Sequence, residues 1–441
     1  MKTLLIRAED KNRWERRAPI VPDDLKWVAD QTGARCIVES SAKRFFAEDR
    51  YRAAGADIGR SMTDGGVILG VKEIPIDKIL DRRTYLFFSH TIKGQPANMP
   101  LLKRIIDSGS TLIDYEKITD DTGRRLIYFG PYAGDAGAID ILSLMGEHWS
   151  ARGIETPFAK VRRAHQYESV QAARTHLTEI GREIRENGLP PALCPFTIGI
   201  LGYGNVSKGA QLIFDCLPTR RVAADAVNDF TAGGDGDRHH VYITVFKEQD
   251  LVRPKNAGAA FDLQDYYRQP ERYTSRFAQF LPSFTLLVNA VYWESRYPRF
   301  VTWEALKQLA AGPDPMKLQG IADITCDTNG SIECNVKSTD SDMPAYRVDP
   351  RTKTINDGHM GEGIVLLAVD NLPCELPNDS STFFSNQLRP FIPAILGADD
   401  SQPLDASGLP PEIRRAVIVY NGRLTPGFAY LAEHLKKAAD D

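Results

Sequence analysis

The chain has 441 residues, 42% of them hydrophobic and 25% charged, with a formal net charge of −4. That length exceeds what one hydrophobic core organises and points to two domains, at most three. There is no basic excess for a nucleic-acid surface and no uninterrupted apolar stretch of bilayer length, so neither nucleic acid nor a membrane is expected as a partner.

In chain order, the opening run Met1-Lys-Thr-Leu-Leu-Ile-Arg7 is too short for a secretory signal and reads as a first strand over 3–6. Further strands are predicted over 36–39, 67–71, 85–88 and 111–114. Helices are predicted between them over 23–31, 49–54, 76–79 and 99–108. This β–α–β alternation argues for a parallel sheet covered by helices. A long helix from Gly134 to about Ala151 serves as a connector, and a second α/β block runs from about 195 to 327. Within that block, 225–240 reads as a surface excursion. An apolar run over 363–370 and helical stretches over 380–396 and 428–437 are too few for a third domain. The expected architecture is therefore α/β, with two Rossmann-like doubly wound parallel-sheet domains and an interdomain cleft. Residues 1–135 plus about 335–441 would form a substrate domain, and about 136–334 a dinucleotide-binding domain. Ligands gather at such clefts and at the carboxyl ends of parallel strands.

The six cysteines (Cys36, Cys194, Cys216, Cys326, Cys334 and Cys374) contain no Cys-x-x-Cys pair. They read as reduced thiols of a cytoplasmic protein, with no metal site.

The strand Phe196–Leu201 breaks into Gly202-x-Gly204-x-x-Ser207-x-Gly209, followed by an amphipathic run over 210–217. Gly202 permits a tight turn, Gly204 has no Cβ to hold the backbone off a phosphate, and a helix N-terminus favours an anion. Ser207 replaces the third glycine of the dinucleotide pattern but is small enough for close packing. Gly202, Gly204, Asn205, Val206 and Ser207 are thus the expected pyrophosphate site; a purely structural strand–helix turn is the alternative. Lys72 and His90 each follow a predicted strand, where an open parallel sheet presents its ligand crevice. A lysine with a lowered pKa and a histidine suit proton transfer at a carbon–nitrogen bond. Glu116 ends a third strand, and Arg17 precedes a proline-bounded turn where its guanidinium suits a carboxylate. A surface pair for Lys72 with Glu73, a core role for His90 and a solvated cluster around Arg17 are the competing readings.

Glu15-Arg-Arg-Ala-Pro-Ile-Val-Pro22, Gly70-Val-Lys-Glu73, Phe87-Phe-Ser-His-Thr-Ile-Lys93 and Ile113-Asp-Tyr-Glu-Lys117 resemble the lysine–ketoglutarate reductase and saccharopine dehydrogenase family. Gly204-Asn-Val-Ser-Lys-Gly-Ala210, Pro270-Glu-Arg-Tyr-Thr-Ser-Arg-Phe277, Asp370-Asn-Leu-Pro373 and Phe383-Phe-Ser385 extend the resemblance over nearly the whole chain. It is nearer to the reductase half of the bifunctional animal and plant enzyme than to the fungal dehydrogenase, within an alanine dehydrogenase and transhydrogenase-like fold. The resemblance implies condensation of L-lysine with 2-oxoglutarate and reduction of the imine by a nicotinamide to saccharopine. It implies Lys72 and His90 as the acid–base pair and Arg17 as a carboxylate anchor. Glu73, Gln95, Glu116, Phe129, Asn289 and Tyr292 would join the substrate pocket, with Arg125 and Asp323 near the cofactor.

The saccharopine-cleaving half of the bifunctional enzyme has no counterpart here. No obvious ribose-binding acid follows the first helix of the nucleotide block, where Arg220 and Arg221 suit a 2′-phosphate and favour NADP(H) over NAD(H). Asp225 keeps NAD(H) open. Two alternatives stand beside the lysine reading: an opine-type dehydrogenase with another amine or keto acid, and a non-catalytic dinucleotide-binding relative. Alanine dehydrogenase proper leaves the Pro-Glu-Arg-Tyr and Asp-Asn-Leu-Pro segments unexplained. Oligomeric state is not legible.

Overall fold

The computed structural model describes residues 2–59, 62–234, 236–313 and 315–440. Two compact units emerge, Met1–Phe129 with Pro377–Asp441, and Gly130–Leu376.

The first unit is built on an eight-stranded sheet. Its parallel strands run Asp57–Gly59, Cys36–Glu39, Leu4–Ile6, Val67–Leu69, Thr84–Phe87 and Thr111–Asp114 in spatial order. The inner strands are buried on both faces, which is why they read as continuous apolar runs rather than alternating ones. Chain order reverses at Leu4–Ile6, whose neighbours are Cys36–Glu39 on one side and Val67–Leu69 on the other. That reversal makes the carboxyl ends of Leu4–Ile6 and Val67–Leu69 the topological switch point, the position where open α/β sheets bind ligands. Pro22–Thr32 begins with proline in its first turn and Asp23 and Asp24 against the positive dipole end, and stops at Gly33 with φ +63°. Residues 76–79 form only a single tight turn, Ile76–Lys78. The tail adds Val417–Tyr420 antiparallel to Thr111–Asp114, then Arg423–Leu424 at the edge.

In the second unit the parallel order is Thr219–Arg221, Val241–Phe246, Phe196–Leu201, Leu286–Asn289, Gly320–Asp323 and Ile364–Leu367. The antiparallel strands Ala345–Asp349 and Thr354–Asp357 complete this sheet. Residues 335–376, expected with the tail, thus belong to this unit, because Ile364–Leu367 pairs with Gly320–Asp323 and the hairpin extends the same edge. Residues 130–135 belong here too: the connector helix starts at Gly130 and runs to Ala151. The helix after the glycine turn is Asn205–Phe214, opening five residues before its apolar stripe. The excursion over 225–240 carries a short helix, Val227–Gly233; Asp235 lies outside the described residues.

Candidate active site

Lys72 and His90 each stand three residues beyond neighbouring parallel strands, paired Leu69 to Leu86. Both are half-buried. The chain leaving Val67–Leu69 is fixed by the buried Glu9, whose carboxylate accepts the N–H groups of Val71 (2.7 Å) and Lys72 (3.0 Å). Burial, reinforced by the charges of Arg17 and Lys11, holds Lys72 below the ordinary lysine range. His90 lies in the left-handed region at φ +51°, a conformation a non-glycine residue adopts at a cost of about 1 kcal/mol or more. Asn98 Nδ2 donates to its carbonyl at 2.8 Å, and its Nδ1 bonds the Glu73 carboxylate. Burial would raise Glu73, but the bond to His90 and its charge prevail and bring the carboxyl down to about 2. An ionised Glu73 accepts, so Nδ1 is the protonated nitrogen and Nε2 is left for proton exchange.

Arg17 is buried and its Nε and Nη2 reach the two oxygens of Glu15 at 2.8 and 2.5 Å. Its guanidinium lies 4.2 Å above the Phe129 ring, which stacks on Phe384 at 4.4 Å. The expected carboxylate anchor is therefore committed along one edge to an internal acid, a partner present in the Glu15-Arg-Arg motif itself. Glu116 donates its N–H to Asp114 at 2.8 Å, and its carboxylate stands 3.9 Å from Arg125. Arg125, assigned to the cofactor from sequence, thus sits in the first unit beside Glu116 and over Phe88. Gln95 is exposed and accepts from Asn98 at 3.3 Å. Glu9 and Asp114 were missed, since an acid at or just past a strand end carries no signal without the topology; Phe384 was quoted in a motif, but its place against Phe129 comes from the helix Pro377–Leu388.

In the second unit, Gly202 has φ +93° and a Cβ there would stand 3.0 Å from the Ala290 carbonyl oxygen. Gly204 is different: its φ is −73° and a Cβ would meet nothing within 4 Å. The fold does not demand glycine at 204, whereas a ligand approaching the backbone does. Gly204 is the N-cap of Asn205–Phe214 with no side-chain cap, so the first-turn N–H groups of Asn205, Val206 and Ser207 are left to an anion. Ser207 is buried and accepts from Gln211 at 2.9 Å. Close packing falls instead to Gly209, where a Cβ would sit 2.0 Å from the Pro131 carbonyl oxygen, and reciprocally to Gly134, 1.9 Å from that of Val206. A cavity of about 290 Å³ opens beside the turn, lined by Gly202, Gly204, Glu248, Tyr266, Tyr267 and Tyr292 among others.

Asn289 and Asp323 end adjacent strands but point inward. Asn289 Nδ2 donates to Asp323 (2.8 Å), Thr325 (2.9 Å) and Ser331 (2.8 Å), and Asn335 donates to Asp323 at 2.8 Å. Burial raises Asp323 against these bonds. Their side chains brace the loop after Gly320–Asp323. Arg220 and Arg221 occupy the outermost strand, 3.7 Å from Asp237 and 2.5 Å from Asp215. Among the described residues no cluster of His, Cys, Asp and Glu suits a metal, and no helix is long and apolar enough to cross a membrane.

Residues 5–136 match the alanine dehydrogenase/PNT N-terminal domain and 271–427 the C-terminal domain. The chain is 37% identical to α-aminoadipic semialdehyde synthase of Mus musculus over 97% of its own length and 47% of that protein. It thus spans about half the length of that protein and of the α-aminoadipic semialdehyde synthase of Arabidopsis thaliana. It is 28% identical to the saccharopine dehydrogenase [NAD(+), L-lysine-forming] of Emericella nidulans, over 88% of this chain and 90% of that one. Among solved structures an L-alanine dehydrogenase matches 98% of the chain with a TM-score of 0.61 at 18% identity, sharing the fold.

Proposed function

Because the chain belongs to the alanine dehydrogenase/PNT family, in its saccharopine dehydrogenase and lysine–ketoglutarate reductase branch, we propose that it condenses L-lysine with 2-oxoglutarate and reduces the imine to saccharopine. The observation that carries this reading is the pairing of Lys72 with the Glu73–His90 couple at adjacent strand ends beside the topological switch point. Forming an imine requires a proton to leave the attacking amine and another to reach the departing hydroxyl. Lys72, whose pKa is lowered by burial and by the charges of Arg17 and Lys11, is the group placed to accept the first. His90, with Nδ1 tied to Glu73, supplies the second from Nε2. Loss of water from the neutral carbinolamine leaves its nitrogen with one hydrogen, so the imine is formed protonated and its carbon is electrophilic.

A bound nicotinamide supplies the hydride. The turn at Gly202 to Ser207 suits its pyrophosphate, since the glycine at 204 leaves open space over a helix N-terminus. Arg220 and Arg221 stand in exposed ion pairs with Asp237 and Asp215 on the outer strand, and the ratio of NADPH to NADH turnover tests the preference for NADP(H) drawn from them. All six cysteines are free, which suits a reducing compartment such as the cytoplasm.

The test is decay of reduced-cofactor absorbance with L-lysine and 2-oxoglutarate together, beside single-substrate blanks and a panel of ornithine, pyruvate and glyoxylate. Decay that needs both lysine and 2-oxoglutarate supports the assignment. Faster turnover with another amine or keto acid replaces it with an opine-type reaction.

A further inference from the structure

We propose that Asp114 is a positioning residue for His90, acting through Ser89 and Thr91 to fix the backbone on both sides of the imidazole. The proposal rests on the acid–base reading of His90 above and adds what sets its geometry. His90 occupies the left-handed region at φ +51° without being glycine. Such a conformation persists only where its surroundings over-determine it, and it gathers at reacting centres. Here the surroundings start from strand pairing. Asp114 ends its strand directly opposite Phe87, which ends the neighbouring one, so its side chain stands beside the residues that follow Phe87.

Asp114 is fully buried, as are Ser89 and Thr91. Its Oδ2 accepts the Ser89 N–H at 3.0 Å and also the Ser89 hydroxyl. Because that hydroxyl gives its single proton to Asp114, the 2.8 Å bond between Ser89 Oγ and Thr91 Oγ1 is donated by Thr91, whose N–H reaches the same oxygen at 3.3 Å. Ser89 Oγ thus donates once and accepts twice, which leaves it nothing to offer a ligand: it holds the chain. One carboxylate anchors residue 89 directly and residue 91 through residue 89. With both neighbours drawn into the interior, the side chain between them is the one left half-buried, facing Glu73. Phe88 N–H donates to the Val71 carbonyl at 3.1 Å and Asn98 Nδ2 to the His90 carbonyl at 2.8 Å, so four successive residues are held. Glu9 grips Val71 and Lys72 in the same manner, and each member of the acid–base pair therefore has its own buried carboxylate. The other oxygen of Asp114 accepts the Glu116 N–H at 2.8 Å and caps the turn Tyr115–Lys117. Substitutions at 89 and 91 leave that structural cap alone.

The experiment uses the full chain with Thr91→Val, which removes the hydroxyl at nearly constant size, Thr91→Ser, which keeps it, and Ser89→Ala, each alone and combined with His90→Gln. Thr91→Val and Ser89→Ala are expected to lower kcat at least about tenfold with KM for both substrates within about twofold, while Thr91→Ser stays within about threefold of native. On the His90→Gln background the same substitutions are expected to cost less than about twofold more, since the group through which they act is gone. Asp114→Asn is expected to lose at least as much as either; where a buried Asn prevents folding, the substitutions at 89 and 91 decide. The readout independent of turnover is nitrogen NMR of isotope-labelled histidine at about pH 8.5, above the ordinary histidine range, with His90→Gln assigning the signal. The native ring is expected as a single tautomer protonated on Nδ1, and Thr91→Val as a mixture of the two. Native kcat in both Thr91→Val and Ser89→Ala, equal losses with and without His90, a raised KM at unchanged kcat, or a native ring already averaged between tautomers overturns the proposal. The tautomer change without any turnover of lysine and 2-oxoglutarate supports the positioning role and sinks only the reaction assigned above.

Discussion

Two glycines five residues apart should respond to the same substitution in opposite ways. At Gly209 a Cβ would lie 2.0 Å from the Pro131 carbonyl oxygen and 3.1 Å from the Asp135 nitrogen, both backbone atoms of the helix Gly130–Ala151. Restoring an ordinary contact of 3.4 Å needs a helix displacement of ~1.4 Å, because neither backbone atom can rotate away. Overpacking of this kind costs up to about 3 kcal/mol. Alanine's better helix propensity returns about 1 kcal/mol, leaving Gly209→Ala about 2 kcal/mol less stable. For a unit of this size that lowers Tm by about 4–8 °C. Gly204→Ala meets open space at an ordinary φ, so the weaker N-cap and the stiffer unfolded chain nearly cancel, to within about 0.5 kcal/mol. Its cost should appear only when a pyrophosphate approaches, as a loss of at least about tenfold in NADH affinity. Thermal unfolding and calorimetric titration on the same preparations separate the two. A Gly204→Ala protein that melts several degrees early, or binds NADH like the native chain, would refute the division of labour; so would a Gly209→Ala protein that melts with the native one.

Lys72→Met and His90→Gln should each lower turnover at least about a hundredfold with little change in NADH binding, measured by steady-state kinetics beside titration; near-native turnover removes that residue from the chemistry. Arg17→Ala strips two hydrogen bonds from the buried Glu15 carboxylate, so a stability loss of about 3 kcal/mol is expected in denaturant melts. A raised KM with an unchanged midpoint would restore Arg17 as a simple substrate anchor. Asp140 is buried beside Glu375, and burial together with that neighbour raises its carboxyl well above the usual range. A folded pKa above the unfolded one contributes stability at low pH that is lost as pH rises above the ordinary carboxyl range. Asp140→Asn should therefore raise Tm at pH 8 more than at pH 5; equal shifts at both would show that the Asp140 carboxyl is not raised in the folded chain.

The parallel strands and the glycine turn were legible because doubly buried strands are apolar without interruption and a phosphate turn needs its residues contiguous. Lys72 and His90 could be placed just past strand ends from the apolar runs that precede them. The search for a ribose-binding acid stopped at 219–225, about twenty residues past the turn, where the edge strand lies and not the strand beside Phe196–Leu201. The edge strand Thr219–Arg221 and the helix Val227–Gly233 intervene and carry the inner strand to 241–246. The boundary near 335 failed for a related reason: the hairpin Ala345–Asp349 with Thr354–Asp357 is half exposed and polar, so only pairing reveals that it extends the nucleotide-block sheet. The Arg17–Glu15 bond lay within a quoted motif, but two residues of opposite charge so close in sequence do not reveal that both are buried.

The antiparallel pairing of Val417–Tyr420 with Thr111–Asp114 sets an order of assembly. On the ribosome the second unit, contiguous from 130 to 376, can complete its sheet while the first still waits for a strand more than three hundred residues downstream. Until then the Thr111–Asp114 strand presents an unpaired edge, a template for misassembly in a nascent chain. Lesions near residue 420 should accordingly be felt in the yield of folded N-terminal sheet, far away in sequence from where they occur.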